Sequence, residues 1–404
     1  MSRYVFVLGY AKELCLAELT AVLTPFSPRI EILSSGLILA ETQKPLEAAS
    51  LQNTLGGTVK IGELISETPN LSAEVFFVLL RNFQASGKRI TFGLSFYSPP
   101  SVDPHRLAQE IKDELASKHI PCRYILAKQG NELSSVVVFK NQLLEFLLIF
   151  KKDVGWMIAK TISVQDPDNW NSRDYGRPHA SPKSGMLPPK VARMMVNIAM
   201  SNISAKGGQK SKNKFTLLDP FCGMGTILAE AVLLGIKVIG SDKSKEVAAK
   251  AQKNLEWLTR MYQLGKEAKF QVLISDAGHI AEKFDKNSVD IIVTEPFMGR
   301  VYSKKETSLI QKGRPIGVLE IRNTLKGLEK LYKGAFKNWR GILRRDGIVT
   351  MAFPEIDFGG QKYSVKSLVD TCENLGYTRV QGPLDYGRPQ AVVRRKIYVF
   401  KKLT

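Results

Sequence analysis

The hydrophobic and polar positions of the first 165 residues alternate between the spacing typical of strands and that typical of helices. YVFVLG predicts a strand, ELCLAELTAVL predicts an amphipathic helix, and a pair of strands is predicted around Ser34-Ser35-Gly36. Further on, SSVVVFK predicts a strand, and LLEFLLIFKKDVGWMIAKTISV predicts a hairpin that turns at residues 152–155. These patterns predict a ferredoxin-like module at residues 1–66 and a second α+β module at 67–165.

The next stretch, residues 166–189, interrupts this alternation. It lies within QDPDNWNSRDYGRPHASPKSGMLPP, whose prolines and glycines oppose regular structure over most of its length. We therefore predict a linker and a domain boundary here.

From Lys190 onward, strands and helices alternate regularly. FTLLD, KVIGSD, KFQVLISD, VDIIVTE and GIVTMAF predict strands, with helical patterns between most of them. Such alternation is typical of a doubly wound, mostly parallel sheet, in which ligands bind beyond the carboxyl ends of the strands. We predict an α/β domain at residues 190–404 with its site at that edge.

The charge of the chain is unevenly distributed. The 404 residues are 44% hydrophobic, which predicts a folded protein of several domains. The net charge is +20, and because the first 150 residues contain 14 basic and 14 acidic side chains, the whole excess belongs to the rest of the chain. A polyanionic partner is favoured, with a charged surface that binds no ligand as the alternative.

The cysteines and histidines show no metal-binding pattern. The four residues of each type are scattered, so we expect reduced thiols and no metal. Because the sequence has no secretory segment and no run of about 18 uncharged apolar residues, we expect a cytoplasmic protein that does not bind membranes.

A glycine-containing turn is predicted after the strand FTLLD. Gly223 and Gly225 allow a tight turn and a close approach of the backbone to a ligand. Leu228 replaces the third glycine of the dinucleotide fingerprint, so a dinucleotide is disfavoured.

Acidic residues end three strands of this domain. Asp242 could accept both ribose hydroxyls of an adenosine, and Asp276 could lie near the adenine amine. Carboxylates at Asp219, Asp242 and Asp276 suit a cofactor with an adenosine and a positive charge but no phosphate, which describes S-adenosylmethionine. The alternative is that each aspartate is a helix cap or a turn residue. The predicted cofactor-binding residues are Asp219, Phe221, Gly223, Gly225, Asp242 and Asp276.

Three segments resemble one known family. DPFCGMGTILAEA is similar to the D-P-F-C-G-[ST]-G-T-x-x-x-E-A signature of THUMP-containing tRNA guanine-N2 methyltransferases. KSGMLPPKVARMMVNIA resembles the segment before that signature, and YVFVLGYAKELCLAEL resembles the amino terminus of the same proteins. The resemblance implies a Rossmann-type, S-adenosylmethionine-dependent methyltransferase domain, a THUMP-like RNA-binding module at 67–165 and a tRNA substrate. A small activating subunit is a further partner that it leaves open.

The same resemblance assigns roles to VDIIVTEPFMGR. In related amino-methyltransferases this strand ends in D-P-P-Y or N-P-P-Y, where the first side chain accepts a hydrogen bond from an exocyclic amine and the aromatic stacks on the base. The implied catalytic residues are Glu295 as the acceptor, Pro296, and Phe297 as the stacking ring. A base within a duplex must be flipped to reach them. This chain has Glu for Asp or Asn, Phe for the second Pro and Met for Tyr, and a structural Glu-Pro turn is the alternative.

Basic residues near these motifs are candidates for RNA binding. They are Lys206, Lys210, Lys212, Lys214, Arg300, Lys304 and Lys305. DYGRP occurs at 174–178 and again at 385–389, so Arg177 or Arg388 could hold a phosphate, although two proline-ended turns are the preferred interpretation.

The function predicted from these residues is methylation of the exocyclic N2 amine of a guanosine in tRNA. Because the same acceptor and aromatic could serve any exocyclic amine, an adenine-N6 methyltransferase acting on DNA or ribosomal RNA is one alternative. A catalytically silent RNA-binding protein is the other.

Overall fold

The computed structural model of the chain divides into two compact units. It describes residues 1–83, 89–100, 102–180, 186–204, 214–265, 268–299, 318–358, 360–387 and 391–403. The first unit contains Met1–Gly9, Leu23–Thr54 and Thr58–Asn169, and the second contains Tyr10–Val22, Leu55–Gly57 and Trp170–Thr404. Most of the first helix, α1 (Lys12–Leu23), therefore belongs to the second unit.

The first unit is built on one eight-stranded sheet. Its strands are β1 (Ser2–Leu8), β2 (Arg29–Ser34), β3 (Leu37–Thr42), β4 (Thr58–Thr68), β5 (Ile90–Phe96), β6 (Cys122–Ile125), β7 (Leu144–Lys151) and β8 (Gly155–Val164). Its helices are α2 (Ala48–Thr54), α3 (Ala73–Leu80), α4 (Pro104–Ser117) and α5 (Ser135–Asn141). The strand order is β2-β3-β1-β4-β8-β7-β5-β6, so the antiparallel pair β4 and β8 joins the strands of the two predicted modules into one sheet.

A predicted pair of strands and a predicted hairpin are confirmed, and one predicted strand is wrong. β2 pairs with β3 and β7 pairs with β8, both antiparallel. SSVVVFK forms the helix α5, because the hydroxyl of Ser134 caps its first turn by accepting from the backbone N–H of Val137 at 3.3 Å. The strand propensity of three consecutive valines was overridden by this local cap.

The predicted linker contains a helix, α6 (Pro167–Tyr175). Asp166 accepts from the backbone N–H groups of Asp168 and Asn169 at 2.9 and 3.0 Å, and Pro167 is the first helical residue. Asp followed by Pro is a helix-start signal, because proline has no N–H that would be left unsatisfied in the first turn. Counting prolines and glycines alone missed it.

The second unit is built on a seven-stranded sheet with an added short strand. Its elements after α6 are α7 (Pro189–Ser204), β9 (Thr216–Asp219), α8 (Thr226–Leu233), β10 (Lys237–Asp242), α9 (Lys245–Met261), β11 (Phe270–Ile274), β12 (Val289–Thr294), α10 (Val318–Ile342), β13 (Leu343–Phe358), β14 (Gln361–Ser364), α11 (Lys366–Asp370), β15 (Tyr377–Tyr386) and β16 (Val393–Lys402). The order is β11-β10-β9-β12-β13-β16-β15, and β14 pairs with β13.

The predicted doubly wound, mostly parallel sheet is confirmed. β9 to β13 are parallel, while β16 is antiparallel to β13 and β15 is antiparallel to β16. The chain runs outward from β9 through β10 to β11 and then returns to the other side of β9 as β12. The carboxyl ends of β9 and β12 therefore flank the point where the strand order reverses, which is where ligands bind in open sheets of this kind.

The core beneath this point is aromatic. Every residue of β12 is buried. The helix α10 buries one face whose apolar residues recur every three or four positions, including Tyr332, Phe336 and Trp339. In the described part of the chain, no helix combines the length and the apolar character needed to cross a bilayer.

Candidate active site

The loop between β9 and α8 forms the predicted tight turn. Gly223 and Gly225 have φ angles of 50° and 81°, in the left-handed region that side chains other than glycine rarely adopt. The backbone N–H of Cys222 donates to the carbonyl of Ser241 at 2.9 Å, which holds the turn against the end of β10. This places the turn at the carboxyl edge of the sheet.

The three predicted aspartates share one geometry. Asp219 Oδ1 accepts from the N–H of Phe221 at 3.2 Å, Asp242 Oδ1 from Ser244 at 2.9 Å, and Asp276 Oδ1 from Gly278 at 2.8 Å. An aspartate that accepts from the N–H two residues later closes a turn. The turn role is therefore present in all three residues. Because a carboxylate can accept several hydrogen bonds, that role is compatible with holding a cofactor.

Asp219 connects the glycine turn to the neighbouring strand. Its side chain is buried, and the hydroxyl of Thr294 donates to its Oδ1 at 2.7 Å. Burial raises the pKa of Asp219 to about 7, against the opposing effect of the hydrogen bonds from Thr294 and Phe221. Since Thr294 ends β12, this contact brings the turn next to Glu295.

Glu295 is held by a residue that the sequence did not single out. Arg395, on β16, donates from Nε to its carboxylate, and both side chains are mostly buried, at 17% and 16% exposed for Arg395 and Glu295. A backbone hydrogen bond involving Leu187 also reaches Glu295. The pKa of Glu295 is raised on balance, because burial raises it by more than the charge and the hydrogen bond of Arg395 lower it. The Glu-Pro corner is thus a charged, partly enclosed site.

Phe297 has a hydrogen-bonded backbone carbonyl and an exposed ring. Its carbonyl accepts from the hydroxyl of the buried Tyr332 at 2.6 Å, while the residue is 63% exposed. Pro296 is buried. Gly299, at φ 95°, packs so closely that a Cβ there would lie 3.0 Å from Thr324 Cγ2. An exposed aromatic on a rigid support is suited to stacking on a base.

Phe221 has a different environment from that of Phe297. It is partly buried and packs against the core, edge to face with Trp339 at 6.3 Å between ring centroids. Within the described residues, no cluster of His, Cys, Asp or Glu is arranged to hold a metal ion.

The first DYGRP copy is packed against the glycine turn. Arg177 is 7% exposed and donates to the hydroxyl of Thr226 at 2.7 Å, so its guanidinium stabilises the start of α8 and is not displayed to a phosphate. Asn254 accepts from the N–H of His179 and donates to the carbonyls of His179 and Met224, each at 2.9 Å. Arg388 of the second copy lies outside the described residues.

Most of the predicted RNA contacts lie outside the described residues. These are Lys206, Lys210, Lys212, Arg300, Lys304 and Lys305. Lys214 is described and exposed. All seven stay predictions.

Sequence reasoning missed several residues that shape the site. Thr294 and Asn254 carried a usable signal, since each is a polar residue among the mostly apolar residues of a strand or a helix face, and both are buried. Tyr332 resembled an ordinary core residue of α10. Arg395 carried no signal, because 100 positions separate it from Glu295.

The chain is similar in sequence to known methyltransferases. Residues 179–311 match the RMKL-like methyltransferase domain family. The chain is 30% identical to a tRNA (guanine(10)-N2)-dimethyltransferase of Methanothermobacter thermautotrophicus, over 49% of this chain and 47% of that protein. It is 28% identical to the protein of the same name from Pyrococcus abyssi, over 57% and 52%. A possible methylase from Clostridium difficile 630 of known structure is 14% identical, covering 98% of this chain and 97% of its own, with a TM-score of 0.48.

The chain thus aligns with about half the length of each of these two tRNA methyltransferases. Over about half of the chain, these matches confirm the resemblance to tRNA guanine-N2 methyltransferases that the motifs indicated. The family match at 179–311 includes the glycine turn, the three aspartates and Glu295.

Proposed function

We propose that this chain, whose residues 179–311 match the RMKL-like methyltransferase domain, methylates the exocyclic N2 amine of a guanosine in tRNA. One observation carries the proposal: the hydrogen bond from Thr294 to Asp219 brings the glycine turn and the Glu295-Pro296-Phe297 corner to adjacent strand ends. The names of the relatives support guanosine 10 as the target and two successive transfers as the outcome.

The residues at the strand ends fit S-adenosylmethionine. When bound, this cofactor supplies a methyl group on a sulfonium. The glycine turn allows close approach of the backbone, and Asp242 and Asp276 provide acceptors for the ribose hydroxyls and the adenine amine. A buried carboxylate at Asp219 favours a positively charged ligand nearby.

Glu295 would act on the amine. The lone pair of an aryl amine is delocalised into its ring, so the nitrogen needs close positioning to attack the methyl carbon. Transfer would break the S–CH₃ bond of the sulfonium as the N–CH₃ bond forms, so positive charge would move from sulfur to that nitrogen, and the amine would then lose one proton to solvent. A carboxylate that accepts from the N–H stabilises this charge, and Phe297 would stack on the flipped base to hold it in place.

The part of the chain after residue 150 would make most of the contacts with the RNA phosphates. Support comes from the excess of basic residues after residue 150. We retain the division into a ferredoxin-like module (1–66), a THUMP-like module (67–165), a linker (166–189) and the methyltransferase domain (190–404) as part of this proposal. The small activating subunit and the cytoplasmic location stay predictions.

The test uses the full chain, labelled S-adenosylmethionine and two unmodified tRNA transcripts that carry either guanosine or adenosine at position 10. Mass spectrometry of the nucleosides is expected to show N2-methylguanosine and N2,N2-dimethylguanosine from the guanosine transcript alone. Glu295→Ala should lower the rate by about 100-fold or more, as expected for the loss of one positioned group in a transition state. Glu282→Ala, at an exposed glutamate, is the matched control.

Two results would replace the proposal. N6-methyladenosine as the product would favour the adenine methyltransferase. RNA and cofactor binding without any transfer would favour the silent RNA-binding protein.

A further inference from the structure

The ion pair between Glu295 and Arg395 bears on which base the site accepts. We propose that Arg395 is a positioning residue that holds Glu295 as an anion, so that the site selects the adjacent N1–H and N2–H donors of guanine. This inference rests on the proposed function and names the origin of its base specificity.

The pair spans an intervening strand. Glu295 directly follows β12 and Arg395 lies on β16, with β13 between them. Neighbouring strands are about 4.8 Å apart, so the two backbones are separated by roughly two such spacings. Two long side chains are needed to meet across that distance. The glutamate found here, one methylene longer than the aspartate of the related motif, has the reach for it.

Arg395 also has a matched neighbour. Arg394, one position earlier on β16, pairs with Asp385 at 2.6 Å. Successive residues of a strand point to opposite faces, so the two arginines serve different carboxylates. Replacing Arg394 therefore removes the same charge from the same strand without touching Glu295.

The charges around Glu295 make its ionisation depend on Arg395. Among the residues that the structure describes, the titratable groups that interact with Glu295 are Asp219, Tyr332 and Arg395. Partial burial and the nearby carboxylate of Asp219 oppose the ionisation of Glu295, and Arg395 favours it. A protonated Glu295 would present an O–H donor to the base, whereas an ionised one is an acceptor only.

An acceptor-only carboxylate matches guanine. The carboxylate of Glu295 can accept about four hydrogen bonds. Among the described residues, Arg395 and the backbone of Leu187 provide two of them. Guanine presents N1–H and N2–H donors side by side. Adenine presents an N6–H donor beside the N1 lone pair, which a carboxylate repels. The carboxylate of Glu295 therefore distinguishes guanine from adenine at N1 as well as at the amine that is methylated.

The experiment compares two tRNAs that carry guanine or 2-aminopurine at position 10, assembled by ligation. 2-Aminopurine keeps the exocyclic amine but has a lone pair at N1. The wild-type kcat/KM is expected to favour guanine by about 100-fold or more, because a site built to accept a hydrogen bond rejects an analogue that lacks the donor. In Glu295→Gln the amide can donate to that lone pair, so the ratio should fall at least about tenfold.

Arg395→Gln is the decisive variant. In this variant the ratio of kcat/KM for guanine over 2-aminopurine should fall at pH 7. It should recover at higher pH, where Glu295 ionises without its partner. Arg395→Lys should retain more of the ratio than Arg395→Gln. Arg394→Gln should leave the ratio at the wild-type value. Carboxyl ¹³C NMR of Glu295, assigned with Glu295→Gln, should show its titration moved to higher pH in Arg395→Gln.

The outcomes separate this inference from the proposed function. An equal loss of kcat on both RNAs in Arg395→Gln, or an unmoved Glu295 titration, would overturn the positioning role while the methyltransferase stands. Wild-type protein that methylates neither RNA would remove the proposed function, and this inference with it.

Discussion

At the residue scale, a few carboxylates at the strand ends define the candidate site. Asp219, Asp242 and Glu295 could be named from the sequence because each ends an apolar run that predicts a strand. Their partners could not all be named. Thr294 is next to Glu295 in sequence. Arg395 contacts Glu295 only because the strand order places a single strand between β12 and β16.

Asp242 provides a test of cofactor binding that leaves the turn intact. Asp242→Asn keeps a carbonyl oxygen for the N–H of Ser244 and replaces the other oxygen with a donor. A hydrogen bond with a charged partner contributes about 1.5–3 kcal/mol, so the affinity for S-adenosylmethionine should fall at least about tenfold. Calorimetry measures it, with Asp285→Asn as the control. Unchanged affinity in folded Asp242→Asn would exclude a ribose contact.

Asp219 should make stability depend on pH. Its pKa is about 7 in the folded protein against 3.8 for an aspartate in the unfolded chain, so between these values the folded state keeps a proton that the unfolded state has released. The stability that Asp219 contributes is thus fully present at low pH and is lost as the pH rises to about 7. From pH 5.5 to 7, the free energy of unfolding of the wild type should fall by about 2 kcal/mol more than that of Asp219→Asn. Denaturant titrations that give parallel pH profiles for the two proteins would contradict this assignment.

At the element scale, helix α1 is joined to α7 by one buried carboxylate within the second unit. Glu18 accepts from the backbone N–H groups of Gly56 and Gly57 at 2.8 and 2.7 Å, and from Asn197 of α7 at 2.6 Å. A Cβ on Gly57 would lie 2.7 Å from the sulfur of Met194, so the backbone there packs directly against α7. An early helix is therefore part of the fold of the second unit.

Glu18→Gln should destabilise the protein. The two carboxylate oxygens of Glu18 accept from the backbone N–H groups of Gly56 and Gly57. Glutamine has only one acceptor oxygen, so one of these N–H groups would face the amide N–H₂ and lose its acceptor. An unsatisfied buried donor costs about 1–3 kcal/mol. Chemical denaturation at pH 8 should show this loss in the free energy of unfolding, whereas the exposed Glu13→Gln on the same helix should change it by less than about 0.5 kcal/mol. Equal stability of the two variants would mean that Glu18 does not join these elements.

At the scale of the whole molecule, charge is the main feature read from the sequence. All of the excess of 20 positive charges lies after residue 150. A surface that neutralises several RNA phosphates releases counterions, so the logarithm of the affinity should fall linearly with the logarithm of the salt concentration.

Neutralising the lysine loop should flatten that dependence. Replacing Lys206, Lys210, Lys212 and Lys214 by Gln is expected to lower the slope by up to about one unit for each lysine that contacts a phosphate. Replacing four exposed lysines of the balanced half, Lys44, Lys118, Lys128 and Lys140, is the matched control and should leave the slope as it is. The measurement is a binding titration of tRNA at a series of salt concentrations. Equal slopes for the two sets of replacements would show that the loop does not contact the RNA phosphates.

The sequence by itself determined the alternation of strands and helices after residue 190, the glycine turn, and the carboxylates at the strand ends. These are local properties, since periodicity and turn chemistry depend on residues a few positions apart. It failed at SSVVVFK, where a serine cap competed with valine propensity, and at Asp166-Pro167, where composition hid a helix start. Only the tertiary structure decided that strands from both predicted front modules share one sheet, that α1 belongs with the later unit, and that Arg395 reaches Glu295 across β13. Such pairings depend on strand order and on burial, and no local pattern in the sequence encodes them.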